Sequence, residues 1–108
     1  MRTLILSRQG STPPPPEMML GLLQAFKAWR AKWRPKMESF EFFAGGPGGW
    51  GVINTADEKE LSQAMMEFPF LPFSNTEALP TIDGDEALDR LIETMNQMMA
   101  AMQQGGRP

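Results

Sequence analysis

The sequence predicts an α+β domain with the element order β-α-β-β-α-β, followed by a third helix. Three observations support this prediction. Two short apolar segments flank a glycine-rich turn within residues 40–54, helical patterns lie on both sides of that turn, and further strand-like segments lie near the start of the chain and before the last helix. With 108 residues, the chain has the length of one small domain.

The first strand and the first helix come before the glycine-rich turn. Residues 3–7 are apolar enough for a central strand, and four prolines at 13–16 then form a stiff, extended loop. The helix predicted over residues 17–33 carries apolar side chains at three- and four-residue steps, which gives it one apolar stripe. The stripe consists of Met19, Leu22, Leu23, Phe26, Trp29 and Trp33. Pro35 ends this helix.

Two strands and a second helix follow. The strands are predicted over residues 37–43 and 50–54. Thr55 opens the second helix with a capping box, because Glu58 stands three residues later, and Pro69 stops it. The expected buried face of this helix consists of Leu61, Ala64, Met65 and Phe68.

The fourth strand and the last helix complete the pattern. The strand is predicted over residues 73–82, where Pro80 favours an edge position. Asp83 and Glu86 repeat the capping pattern for a helix over residues 84–103. Its apolar residues keep a seven-residue period, which is typical of a helix packed on another helix or on a sheet. They are Leu88, Leu91, Ile92, Met95, Met98, Met99 and Met102.

This element order predicts one antiparallel sheet with the strand order 4-1-3-2 and the first two helices on one face, which is the split β-α-β, or ferredoxin-like, plan. The other face is apolar and must be covered. We expect a homodimer or a higher homo-oligomer, in which a partner subunit or the last helix covers it. The predicted parts are a domain over residues 1–83, a methionine-rich helix over 84–104 and a flexible tail over 105–108.

Composition limits the chemistry that the chain can perform. It has no cysteine, histidine or tyrosine, so thiol nucleophiles, histidine-dependent triads and Cys- or His-ligated metals are excluded. The net charge is −3, with the basic residues concentrated in residues 1–37 and the acidic ones in 38–108. This distribution suits self-association or two solvated faces of one domain. No signal peptide or membrane-spanning run is visible, so we predict a cytoplasmic protein.

The sequence resembles dimeric α+β-barrel proteins, in particular the muconolactone-isomerase-like branch and its uncharacterised relatives. The resemblance lies in the glycine-rich segment 45–54, the acid-led helix after it, Phe-Pro-Phe at 68–70 and Leu-Pro at 79–80. It implies two ferredoxin-like sheets packed into a barrel, with a small-molecule cavity between sheet and helices. Members of the superfamily include isomerases and cofactor-free monooxygenases. The proline-rich loop, the methionine-rich helix and the lack of histidine depart from this pattern.

Three further motifs have two interpretations each. Gly46, Gly48 and Gly51 match a dinucleotide fingerprint, but a turn between two strands favours a hairpin. Residues 27–36 alternate basic and aromatic side chains, as in an anion or nucleic-acid surface, but the tryptophans continue the buried stripe. Four methionines offer either thioether ligands for Cu(I) or helix packing, which we favour. They are Met95, Met98, Met99 and Met102.

Polar residues on the strands are the candidates for a site. Glu41 and Glu77 are the candidate catalytic bases, because a carboxylate on a half-buried strand can have a raised pKa. They stand on opposite edges of the predicted sheet, about 14 Å apart, so they do not form a dyad within one sheet. The ligand-binding candidates lie on or beside the strands that border a pocket. They are Ser7, Arg8, Trp50, Asn54 and Asn75.

These observations favour a small-molecule-binding, homodimeric α+β-barrel protein that takes a small apolar or aromatic ligand. Whether it is an enzyme stays open; as an enzyme it would be a cofactor-free, metal-free isomerase or cyclase working by proton transfer. A second hypothesis is a non-catalytic binding or assembly module that uses the last helix and the proline-rich loop. A third is an anion or nucleic-acid binder that uses residues 27–36.

Overall fold

The structure, a computed structural model, describes residues 1–105 and confirms the predicted order of elements. The strands are β1 (Arg2–Gln9), β2 (Met37–Phe42), β3 (Gly48–Asn54) and β4 (Ser74–Thr81), and the helices are α1 (Pro16–Trp33), α2 (Glu58–Met66) and α3 (Gly84–Gly105). Short 3-10 turns at Arg34–Lys36 and Leu71–Phe73 lead into β2 and β4. Of the predicted tail, Gly105 belongs to α3, and residues 106–108 lie outside the described part of the chain.

The four strands form one antiparallel sheet in the order β2-β3-β1-β4, which is the predicted topology. β1 is central, with β3 on one side and β4 on the other. Because side chains alternate along a strand, Thr3 and Ile5 face the helices, where both are buried. Leu4 and Leu6 face the opposite way, onto what we call the outer face.

The core lies between α1, α2 and the inner face of the sheet. Ile53 and Ala64 are completely buried at its centre, and the rings of Trp29 and Trp33 close it on the α1 side. The indole N–H of Trp29 donates a buried hydrogen bond of 2.9 Å to the carbonyl oxygen of Ala64. This bond joins α1 to α2 and satisfies two polar groups that would otherwise be buried without partners.

The second helix begins later than predicted. Asp57, not Thr55, caps α2 by accepting a 2.9 Å hydrogen bond from the backbone N–H of Glu60, and the carboxylate of Glu60 accepts one of 3.2 Å from Ala56 N–H. Thr55 instead extends the sheet, because its backbone N–H donates to the Met1 carbonyl at 2.8 Å. The cap predicted for α3 is confirmed: Asp83 Oδ2 accepts from Glu86 N–H at 3.0 Å.

The glycine-rich segment is a hairpin turn. The glycines that match the dinucleotide fingerprint lie in the turn and on β3, with no helix after them, and Phe43 N–H closes the turn on the Gly48 carbonyl at 3.0 Å. Gly48 has a positive φ of 105°, and a Cβ there would overlap the carbonyl oxygen of Ser7 on the neighbouring strand. Glycine is therefore needed where β3 passes closest to β1.

The last helix does not cover the sheet of its own chain. Apart from Ala87, which is half-buried, every residue of α3 is exposed, and the molecule is 73 Å long but only 30 and 26 Å wide. Packing of α3 on another chain stays a prediction. Within residues 1–105, no helix combines the length and apolarity that crossing a bilayer requires.

Candidate functional site

A cavity of about 290 Å³ lies between the inner face of the sheet and α1. Its walls are mainly aromatic and aliphatic. They include Met19, Leu23, Phe26, Trp29, Phe40, Phe68 and Phe70. Pro13 and Pro14 also line the cavity, which places the proline-rich loop at its border.

The ring of Phe26 is the centre of the aromatic wall. Its centroid lies 5.8 Å from that of Trp29, 5.6 Å from that of Phe40 and 5.1 Å from that of Phe68, all in edge-to-face geometry. Such contacts hold the rings in fixed orientations. The cavity therefore offers ring faces and edges in set positions, which suits a flat ligand.

Glycine on β3 keeps the sheet side of the cavity open. Gly51 lies opposite Ile5 and Phe40, so it belongs to the inner face. A Cβ at this position would lie 3.0 Å from the methyl carbon of Met37 and 2.9 Å from the Ser39 carbonyl oxygen. The missing side chain thus leaves space for the Met37 side chain at the cavity wall.

The polar end of the cavity contains a chain of hydroxyl groups. Ser7 Oγ lies 3.0 Å from Thr76 Oγ1, which lies 2.8 Å from Ser74 Oγ, and Ser74 donates to the Phe70 carbonyl at 2.8 Å. Each hydroxyl has one proton. Because Ser74 uses its proton on a carbonyl, Thr76 donates to Ser74, and Ser7 donates to Thr76. Ser7 therefore presents only acceptor lone pairs to the cavity.

The predicted site residues are divided between two places. Ser7 lines the cavity from the inner face of the sheet. Arg8, Trp50 and Glu41 border the cavity along their strands, but the alternation of side chains directs them to the outer face.

Three predicted residues do not line the cavity, namely Asn54, Asn75 and Glu77. Cross-strand pairing places Glu41, Trp50, Leu6 and Glu77 in one row across the sheet. Leu6 belongs to the outer face, so this row does too. The register puts Trp50 and Ser7 on opposite faces of the sheet.

Both candidate bases are exposed in the single chain. The carboxylates with a clearly shifted pKa lie elsewhere. Hydrogen bonds from Arg2, Lys36 and Lys32 lower the pKa of Glu38, Glu60 and Glu67 respectively. Among the described residues, no three acidic side chains come close enough to share a metal ion.

Several side chains at the basic and aromatic end of α1 make contacts within the domain. Trp29 and Trp33 are buried, and Lys32 pairs with Glu67 at 2.7 Å. The guanidinium of Arg30 lies 4.8 Å from the centre of the Phe40 ring, behind the aromatic wall. These contacts favour the interpretation of this segment as a core stripe with a solvated face.

The sequence did not reveal Ser74, Thr76 and Phe26 as parts of the site. Phe26 was assigned only to a core stripe. Ser74 and Thr76 alternate on β4, which is a visible signal, but only the register with Ser7 shows that they form one hydroxyl chain.

Comparisons with known proteins identify the fold. No protein-family model matches the chain, and no curated protein matches it. Muconolactone isomerase is similar in structure, with a TM-score of 0.68 and 14% sequence identity over 77% of this chain and 90% of that one. So is 5-chloro-2-hydroxyhydroquinone dehydrochlorinase (TftG) from Burkholderia phenoliruptrix AC1100 in complex with 2,5-dihydroxybenzoquinone, with a TM-score of 0.60 and 15% identity over 80% and 98% of the two chains. The chain therefore has the same ferredoxin-like fold as these two proteins, which confirms the fold predicted from its sequence.

Proposed function

We propose that the protein binds a small, hydroxylated, single-ring compound in the cavity between α1 and the sheet. The observation that carries this proposal is the aromatic cavity of about 290 Å³ that ends at Ser7. This volume is close to the lower limit of typical ligand sites, so it fits one ring better than two. The fixed Phe26 cluster supplies ring contacts.

The polar end of the cavity supports the hydroxyl group in this proposal. Ser7 offers acceptor lone pairs, so a ligand group that donates a proton, such as a phenol or enol hydroxyl, satisfies it. Arg8, the next residue on β1, borders the same end of the cavity, so a turn of its long, exposed side chain would bring its charge to an ionised ligand oxygen. The structurally similar TftG was solved with 2,5-dihydroxybenzoquinone, a compound of this size and chemistry.

The catalytic form of the proposal is a cofactor-free isomerisation or cyclisation by proton transfer. Glu41 and Glu77 are the candidate bases; both lie in the outer-face row, and of the two only Glu41 also borders the cavity. Arg8 would stabilise the negative charge that develops on the ligand oxygen when the proton leaves.

We also propose that the outer face binds a second copy of the chain, which makes the protein at least a homodimer. Leu4 pairs with Val52 on one side and with Leu79 on the other, and these apolar groups lie next to Trp50 and Leu6. Leu79 is 44% exposed in the single chain. A contiguous apolar surface on a sheet is typical of a protein interface.

Ligand binding is tested by titrating the protein with p-cresol and with toluene, following tryptophan fluorescence. The hydroxyl of p-cresol should improve affinity at least about fivefold over toluene, which corresponds to one ordinary hydrogen bond. Ser7→Ala should remove that advantage, whereas Ser11→Ala, in the loop outside the cavity, should preserve it. Equal affinities for the two probes in the unaltered protein would contradict the proposal.

Catalysis is tested with Glu41→Gln and Glu77→Gln. Once a substrate is known, Glu41→Gln should reduce kcat at least about 100-fold, the usual effect of losing a general base, with an unchanged thermal midpoint. Glu77→Gln should retain most activity. A larger loss in Glu77→Gln would show that Glu77, and not Glu41, is the base.

A non-catalytic assembly module is the second candidate, and the exposed apolar residues of α3 favour it. The two functions differ in where the essential residues lie. An assembly module needs α3, whereas the cavity function needs Ser7 and the aromatic wall. Binding of nucleic acid is a weaker third candidate, and retention on heparin that falls steeply with salt would support it.

A further inference from the structure

α3 carries an apolar strip that nothing in its own chain covers. Seven large side chains along it are 53–72% exposed, and they repeat every seven residues. We call this strip the α3 seam; it consists of Leu88, Leu91, Ile92, Met95, Met98, Met99 and Met102. A contiguous, exposed apolar strip is typical of a surface that packs against another chain.

We propose that the α3 seam pairs with the α3 seam of a second copy, with the two helices antiparallel. The proposal goes beyond ligand binding and does not depend on it. The seven-residue period keeps the seam on one side of a helix over its whole length, which is the geometry of a helix pair. Small residues flank the seam and allow two helices to approach closely. They are Ala87, Thr94 and Ala101, which directly precede Leu88, Met95 and Met102.

Charge distribution favours the antiparallel direction. Residues 84–93 contain four acidic residues and one arginine, whereas residues 94–105 contain no charged residue. A parallel pair would place the two acidic halves side by side, which is unfavourable. An antiparallel pair places each acidic half beside the uncharged, methionine-rich half of its partner.

The same charges argue against the outer face of the sheet as the site that receives α3. That face carries Glu38, Glu41 and Glu77, and Arg2 is already bound to Glu38 at 2.7 Å. The acidic half of α3 would therefore meet further carboxylates. A second α3 offers an apolar strip of matched length and no opposing charge.

The first test measures the molar mass of the full-length protein by light scattering after size exclusion. Met95→Glu places a charge in the middle of the seam and should reduce the mass at least twofold. Gln97→Glu adds the same charge on the opposite side of α3 and should leave the mass unchanged. Because α3 makes no core contacts, tryptophan fluorescence should show that both variants keep the folded domain. Equal masses for Met95→Glu and the unaltered protein, or a monomeric unaltered protein, would overturn the proposal.

The second test determines the direction. The chain has no cysteine, so Asp89→Cys and Asn96→Cys can each carry a single spin label, and both positions lie on the same flank of the seam. In an antiparallel pair the two labels at 89 are offset along the helix axis by roughly 20 Å, while those at 96 are nearly level. Distances measured by electron spin resonance should then be clearly longer for Asp89→Cys. Equal distances would show a parallel pair.

Discussion

At the scale of single residues, a few hydrogen bonds connect parts of the chain that are far apart in sequence. Trp29 bonds to Ala64, and Ser7 bonds to Thr76. Glu67 accepts hydrogen bonds from Lys32 at 2.7 and 3.0 Å, from Gln63 at 3.0 Å and from the Trp33 indole at 3.2 Å. These bonds hold the C-terminal end of α2 against α1.

The Glu67 network predicts a pH dependence of stability. The hydrogen bonds from Lys32 above all, and then from Gln63, lower the pKa of Glu67 below its ordinary value. A carboxylate with a depressed folded-state pKa stabilises the fold above its unfolded-state pKa, about 4.3, and loses that contribution as the pH falls through the folded-state pKa. The thermal midpoint of Glu67→Gln should therefore fall less than that of the unaltered protein below about pH 4.

The matched control for this measurement is Glu17→Gln in the first turn of α1, away from the network. Its midpoint should follow the acid-induced fall of the unaltered protein. If Glu67→Gln and Glu17→Gln give the same pH profile, the Glu67 network does not contribute to folding stability.

At the scale of elements, the helices differ in what stabilises them. α2 is capped by Asp57 and buries Ala64 completely, so capping and packing act together. α3 has an equivalent cap at Asp83 but almost no packing within the chain. Because helical stability in proteins comes mostly from packing of an apolar face, pairing of the α3 seam would stabilise this helix.

The cap of α2 gives a prediction about global stability. Asp57→Ala leaves the N–H of Glu60 without its acceptor, so it should reduce the free energy of unfolding by about 1 kcal/mol, measured by urea denaturation. Ser62→Ala, on the exposed side of the same helix, should cause no loss, because alanine is the better helix former. A loss below about 0.3 kcal/mol in Asp57→Ala would show that the cap bond is not formed in solution.

At the scale of the whole molecule, three ion pairs neutralise part of the uneven charge of the sequence within the chain. Lys32, Lys36 and Arg2 come from the basic part and bind Glu67, Glu60 and Glu38 of the acidic part. These three ion pairs therefore connect the first strand, the end of the first helix and the turn after it to the rest of the domain. The two surfaces proposed for self-association are mainly apolar. They are the outer face of the sheet and the α3 seam.

If the outer face and the α3 seam bind different partner chains, the two proposed interfaces predict an assembly of at least four chains, because each joins a pair. Leu79→Glu should disrupt the sheet interface, and Met95→Glu should disrupt the α3 interface. Each variant should reduce the molar mass of the assembly at least twofold. The double variant should have the mass of one chain, 12.1 kDa, by light scattering. Ser62→Glu, on the exposed side of α2, should keep the original assembly; retention of the full mass by Leu79→Glu would exclude the sheet interface.

The sequence by itself determined the elements, their order and their topology. Apolar periodicity, prolines and glycines act locally, and the rule for crossover handedness then leaves few ways to connect four strands and two helices. For this reason the sheet order, the hairpin at Gly48 and the cap at Asp83 were predicted correctly. The start of α2 was misplaced because Thr55 and Asp57 both have capping side chains, and only pairing of Thr55 with Met1 distinguishes them.

Only the tertiary structure decided the site. The direction of the hydroxyl chain from Ser7, the placement of Trp50 on the other face and the separation of Glu77 from the cavity all depend on strand register. A shift of one residue in register moves every side chain to the opposite face, and local sequence patterns do not specify such a shift. The cavity itself arises from how the Phe26 cluster packs above Gly51, which is a property of contacts between distant segments.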